Sequence, residues 1–146
     1  MRFRPCIDLH QGQVKQIIGS SLNDQQAPKT NFVAQQDAAY FAQIYLRDNL
    51  PGGHVIMLGP GNERAAATAL QAYPQGLQLG GGINAENARK WLEAGAAQLI
   101  ATSYVFKNGQ LEQDNLRRLV RATGRERLVL DLSCARIAGR YVVMTD

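Results

Sequence analysis

The sequence predicts an α/β fold built on a parallel sheet, and three observations carry that prediction. Short, continuous apolar runs alternate with segments of helical period along all 146 residues. Three of the helical segments carry an apolar stripe on one face, of the width that covers a sheet. An Asp inside an otherwise apolar strand occurs twice, at Ile7-Asp8-Leu9-His10 and at Leu130-Asp131-Leu132-Ser133. Strand, loop and helix repeated in this order give βαβ units. Apolar runs without alternation suit strands covered on both faces.

Phe3 to Leu9 reads as the first strand, and Gly12-Gln13-Val14-Lys15 as the return arm of a hairpin built into the loop that follows. Ser20 to Asn31 is polar and is expected to form a mobile loop. A first helix over Ala34 to Leu46 rests on Phe41, Ile44 and Tyr45, and Pro51-Gly52-Gly53 ends it. His54 to Leu58 is the second strand, leading into Gly59-Pro60-Gly61. Ala66, Ala69, Leu70 and Tyr73 then stand at i, i+3, i+4 and i+7 of a helix whose N-cap is Asn62. Gly76 to Leu79 is the third strand and runs into Gly80-Gly81-Gly82. Asn84 caps the next helix, with Ala88, Trp91, Leu92 and Gly95 as its stripe. Gln98 to Thr102 is the fourth strand, and Leu116, Leu119, Val120 and Thr123 nearly repeat the stripe. Arg127 to Leu132 is the fifth. Gly139-Arg140-Tyr141-Val142 follows it as Gly12-Gln13-Val14-Lys15 follows the first, so the first and fifth strands read as copies of one unit.

Hydrophobic residues make up 45% and charged residues 19% of the chain. That composition describes one globular domain, residues 1–146, and excludes disorder, collagen and coiled coil. A complete eight-stranded α/β barrel needs about 250 residues, more than this chain has. There is no apolar run of about 18 residues, so no membrane span is expected. The N-terminus carries no apolar h-region, and Cys6 and Cys134 form neither a disulfide framework nor a CxxC pair. A cytoplasmic protein is the expectation. The net charge of +4 suits an anionic ligand. The basic residues lack interleaved aromatics, which argues against nucleic acid, and Arg117, Arg118, Arg121, Arg125 and Arg127 read as a solvated face.

Asp8 and Asp131 are the candidates for chemistry. A carboxylate in an apolar strand is costly unless solvated or paired. At the carboxyl end of a parallel strand it faces the mouth where such folds keep their sites. Two such groups can serve as general acid and general base, although near-identical contexts leave open which is which. Gly81 and Gly82 let backbone N–H groups approach an anion, and the helix expected from Asn84 would add more. Thr102 and Ser103, at the end of the next strand, can add hydroxyl donors. Structural roles are the alternative for each: a cap, a tight turn, a surface pair. His10, next to the first strand end, is placed to touch a substrate but reads mainly as a surface or loop histidine. His54 reads as structural, Cys6 as core on the side of Asp8, Cys134 as a loop residue and Trp91 as core.

Taken together, Pro5-Cys6-Ile7-Asp8-Leu9, Gly12-Gln13-Val14, Leu79-Gly80-Gly81-Gly82-Ile83, Thr102-Ser103-Tyr104-Val105-Phe106 and Leu130-Asp131-Leu132 resemble, in order, the aldose–ketose isomerase family of histidine biosynthesis. His54 to Asn62 and Gly82-Ile83-Asn84 resemble its eukaryotic form; bacterial members usually carry Arg where Asn84 stands. The resemblance covers essentially the whole chain. It implies a (βα)8 TIM barrel of two similar halves, of which only about the first five βα units are present. It also implies an Amadori rearrangement of a bis-phosphorylated aminoaldose to the aminoketose, with no metal and no redox cofactor. By the same resemblance Asp8 is the general base, Asp131 the general acid, and Gly81, Gly82, Thr102 and Ser103 one of two phosphate sites. The family enzyme is expected to be a monomer that binds neither nucleic acid nor membrane. Tyr141 to Asp146 falls inside what resembles the fifth loop's hairpin, so a C-terminally truncated form able to self-associate is expected. The sister cyclase of the pathway and a non-catalytic phosphate-binding half-barrel are the alternatives.

Overall fold

A computed structural model describes residues 3–18 and 30–144. Its main sheet has the order β3 (Thr30–Val33), β2 (Gln13–Ile17), β1 (Cys6–His10), β4 (Gly53–Met57), β5 (Leu77–Gly80), β6 (Gln98–Ala101), β9 (Leu128–Leu130). The parallel part is β1, β4, β5, β6 and β9. These strands lie side by side in chain order. The helices between them are α1 (Ala38–Arg47), α2 (Glu63–Ala72), α3 (Ala88–Glu93) and α4 (Gln113–Thr123). The protein is therefore α/β with a parallel sheet, as the alternation of apolar runs and helical stripes predicts.

Register separates the two faces. One row runs Ile7, Val55, Leu79, Leu99, Leu128. Its first four members are buried in a core shared with Ala42 of α1, Leu70 of α2, Trp91 of α3 and Leu119 of α4. The helices thus cover this face, and burying each Leu or Ile there contributes about 1.5–3 kcal/mol. The next row, on the opposite face by alternation, runs Asp8, Ile56, Gly80, Ile100, Val129. One step back, Cys6, His54, Gln78 and Gln98 form a polar row. Gln78 is 2% exposed and is satisfied by donating to Gln98 Oε1 at 2.6 Å. Gln98 in turn donates to Glu126 O.

The β1 hairpin is present: β2 (Gln13–Ile17) returns antiparallel to β1. It carries β3 (Thr30–Val33), a short exposed strand at the end of the stretch expected to be a loop; residues 20–29 of that stretch lie outside those described. The fifth-loop hairpin is β10 (Cys134–Ile137) with β11 (Arg140–Val143). It forms a sheet of its own, turned by Ala138 and Gly139 at positive φ, and Cys134 lies on its strand rather than in a loop.

Three further expectations are corrected. The first helix begins at Ala38 rather than Ala34, behind its N-cap Asp37, and ends at Arg47 with Asp48 as its C-cap, before Pro51, as Asn49 takes φ 51°. The helix expected from Asn84 begins at Ala88. Arg127 leaves the solvated face: it is half-buried and donates to Ala96 O at 2.7 Å and Ala97 O at 3.3 Å, while Arg117, Arg118, Arg121 and Arg125 are exposed.

Candidate functional site

Asp8 stands on β1 with Cys6 and His10 on the same face. Cys6 Sγ donates to Asp8 Oδ1 at 3.1 Å. This corrects the expectation of Cys6 as core: the residue retains solvent contact and its thiol serves the carboxylate. Crowding of the thiol by surrounding atoms, and then the bond to Asp8 and its negative charge, push the thiol up to about 12. A neutral thiol is a donor and a poor nucleophile. Tyr45 Oη donates to Cys6 O at 3.2 Å. The Tyr45 phenol is also raised, first by burial and then by its electrostatic interactions with Cys6 and Asp8.

Asp131 follows β9 and prolongs its ladder by one bond, Asp131 N–H to Ala101 O at 3.2 Å. It is exposed and lies two residues beyond the row of Asp8, whose β9 member is Val129. Asp131 lines a cavity of about 180 Å³ together with Gly81, Gly82, Thr102 and Ser103. Thr102, Ser103 and Asp131 also wall a larger space of about 570 Å³ that reaches Lys107, Asn108 and Met144. Five of the six residues singled out in the sequence are thus brought together. Asp8 lines neither cavity and stands apart on the same face of the sheet.

The glycine turn divides its work. At Gly81, φ is +95° and a Cβ would lie 2.1 Å from Met57 O, so only glycine lets the turn pack against β4. At Gly82, φ is +68° and a Cβ would meet nothing within 4 Å, so the space beside it is open to the cavity. The backbone bonds among the described residues include none donated by Gly81, Gly82 or Ile83. The helix start adds less than expected. Asn84 Oδ1 accepts from Glu86 and Asn87 N–H, Asn87 Oδ1 accepts from Asn84 N–H, and Ala88 N–H is taken by Asn84 O. A turn therefore consumes the donors that a helix beginning at Asn84 would have left free.

Two features escaped the sequence reading. Phe106–Lys107 (β7) and Gln110–Leu111 (β8) form a hairpin, and its Lys107 brings a cation to the larger space. Asn108-Gly109, both at positive φ, is the dipeptide that marks such a turn and was the available signal. Asn62 is the second. It occupies the N-cap position of α2 with no capping bond from its side chain. Fully buried, it instead donates to Leu58 O and Gly59 O and accepts from Gly12 N–H.

Comparison with known proteins places this geometry. A family model described as "Histidine biosynthesis protein" matches residues 2–146. Similar proteins, each named as a phosphoribosyl-substituted imidazole-4-carboxamide isomerase, come from Medicago truncatula, Neurospora crassa and Saccharomyces cerevisiae. The Medicago protein, whose name marks it as chloroplastic, is 52% identical over 100% of this chain and 49% of its own. The Neurospora protein is 54% identical over 92% of this chain and 54% of its own. The yeast protein is 47% identical over 97% of this chain and 56% of its own. The chain spans about half the length of the curated relatives it matches. Among its described residues, no helix is long and apolar enough to cross a membrane. The match along residues 2–146, on a sheet whose strand ends carry Asp8, Gly81–Gly82, Thr102–Ser103 and Asp131, shows that the chain belongs to the histidine biosynthesis protein family.

Proposed function

We propose that this chain supplies the catalytic aspartates and one phosphate cradle of an aldose–ketose isomerase that acts on a bis-phosphorylated aminoaldose. The observation that carries the reading is the cavity that Asp131 shares with Gly81, Gly82, Thr102 and Ser103. It sets a carboxyl group beside a backbone and hydroxyl donor set suited to phosphate. The relatives' names describe the same chemistry: an imidazole carboxamide bearing phosphoribosyl groups, and its isomerisation.

In this reading Gly81, Gly82 and Ile83 offer N–H groups to one substrate phosphate, and Thr102 and Ser103 add hydroxyls. Asp131, as the acid, gives its proton to the ribose ring oxygen while the C1–O bond breaks, leaving a protonated Schiff base at C1. Asp8, as the base, removes the C2 proton. The electron pair of that C–H bond forms the C1–C2 double bond and the C=N pair returns to nitrogen, giving an enolamine. Its tautomerisation yields the ketose. C1 is reduced as C2 is oxidised, so the step balances internally without an external oxidant. Cys6 donates to Asp8 and keeps that carboxylate in place.

Parallel strands in chain order, with helices covering one face, are the arrangement of the first five units of a (βα)8 barrel. We read residues 1–146 as that portion, a single partial domain whose open face holds Asp8. Two unpaired cysteines suit a reducing compartment such as the cytoplasm. The test is Asp8→Asn and Asp131→Asn in the intact protein, assayed for conversion of aminoaldose to aminoketose. Each should lower turnover by at least about a hundredfold, the lower range of general acid–base contributions. Near-normal turnover in either variant removes that residue from the mechanism.

A further inference from the structure

The β1–β2 hairpin holds a pair of side chains that the proposed chemistry does not use. Its ladder pairs Leu9 with Val14 and His10 with Gln13. One step on, the same register sets Lys15 abreast of Asp8. Residues opposite each other in an antiparallel pair share a face, so Lys15 rises on the face that carries Asp8 and His10. There its Nζ lies 3.3 Å from His10 Nδ1 and 3.4 Å from Gln11 Oε1. Both His10 and Lys15 are half-buried.

An ammonium group has donors only. His10 Nδ1 therefore accepts from Lys15, and a neutral ring in this arrangement carries its proton on Nε2. Strand register says where that N–H belongs. Leu9 pairs with Met57, and Leu58 N–H donates to Leu9 O. Carrying the parallel register one residue past these ladders puts His10 in a row with Leu58, Gly82, Thr102 and Asp131. The other four members of that row line the cavity of the candidate site.

We infer that His10 is a substrate-binding residue: Lys15 holds its imidazole in the Nε2–H tautomer, which donates to an oxygen of the phosphorylated sugar lying across this row. The inference rests on the isomerase reading and deepens it by one contact, between the base on β1 and the phosphate cradle. Lys15 is a positioning residue, acting through His10.

Two measurements on the intact protein test it. Imidazole ¹⁵N spectra, assigned with His10→Gln, read the tautomer directly. The Nε2–H form is expected, and Lys15→Met should return the ring to a mixture of tautomers. A wild-type ring protonated on Nδ1, or one unchanged by Lys15→Met, overturns the pairing. Steady-state kinetics then compare His10→Gln, whose amide can place a donor near the Nε2 position, with His10→Asn, whose amide reaches only the Nδ1 position. KM should rise about tenfold more in His10→Asn than in His10→Gln, the loss of one hydrogen bond. Equal KM values overturn the substrate contact while leaving the isomerase reading intact. Failure of that reading shows separately, as wild-type protein without isomerase turnover, and it overturns the substrate assigned here.

Discussion

Gly12 donates its N–H to Asn62 Oδ1 at 2.8 Å, joining two loops 50 residues apart in the chain. The bond ties the turn of the β1–β2 hairpin to the loop after β4, and the Asn62 amide closes the knot on Leu58 O and Gly59 O at 3.1 and 2.9 Å. Asn62→Ala removes a fully buried amide and takes the partner from one donor and two acceptors on half-buried and exposed residues, and should cost about 1–3 kcal/mol. Asn62→Asp keeps an acceptor for Gly12 but turns carboxylate oxygens towards two carbonyls, and should also destabilise. Urea unfolding measures both. A loss under about 1 kcal/mol for Asn62→Ala would mean that water replaces the amide there.

Gly81 and Gly82 should respond differently to the same substitution. Gly81→Ala places a methyl group against Met57 backbone at φ +95°, so β4 or the turn must move. A loss of more than about 3 kcal/mol is expected, from backbone strain plus overpacking. Gly82→Ala meets no atom within 4 Å and should cost only the left-handed backbone penalty of about 1–2 kcal/mol. Its methyl group instead fills space left to a ligand. Thermal unfolding should rank Gly81→Ala far below Gly82→Ala. Titration with a phosphorylated sugar should show weakened binding in Gly82→Ala while its fold is intact. Equal stabilities would contradict the division of roles.

The parallel sheet was legible because its strands are short, apolar and bounded by glycine or polar turns, as at Leu77–Gly80 and Gln98–Ala101. The duplicated Asp-bearing strand was legible for the same reason. What it could not reveal was relative placement: Asp131 shares a cavity with the glycine turn and Asp8 does not. β3 escaped because Thr30–Val33 is four exposed residues with no apolar alternation to read. Asn62 and Asn84 were both readable as caps, since Asn before a helix usually caps it. Asn84 does accept N–H groups, one turn before the helix. Asn62 turns the other way because its partner, Gly12, is close only in three dimensions.

The bond from Cys6 to Asp8 predicts a slow thiol. With its pKa pushed to about 12, Cys6 should alkylate with iodoacetamide at about pH 8 at least tenfold more slowly than an unstructured cysteine. Asp8→Asn removes the charge and weakens the bond, so the rate should rise, though not to the free value, because crowding of the thiol is the larger cause. The linkage has a definite sign. The folded thiol keeps its proton to higher pH than the unfolded one, so its contribution is complete below about 9 and is lost as pH rises from 9 towards 12. Urea midpoints should therefore fall more steeply over that window in the wild type than in Cys6→Ser. Identical slopes would show that the thiol is not held in this way.

Tyr104 offers the opposite case, a polar atom with no partner. Its Oη is buried and unpaired among the described residues. Its ring packs against the core, while its backbone carbonyl accepts from Asn115 Nδ2 at 3.0 Å. A buried hydroxyl without a hydrogen bond costs about 1–3 kcal/mol on mutational scales, and its removal leaves the ring's apolar contacts in place. Tyr104→Phe should therefore be neutral or more stable by up to about 1 kcal/mol, against the usual direction of core substitutions. Tyr104→Leu separates ring from hydroxyl: it should destabilise, because the shape changes as well as the polarity. If Tyr104→Phe instead lost more than about 1 kcal/mol in urea unfolding, the hydroxyl would have to bond a water or a group beyond the described residues.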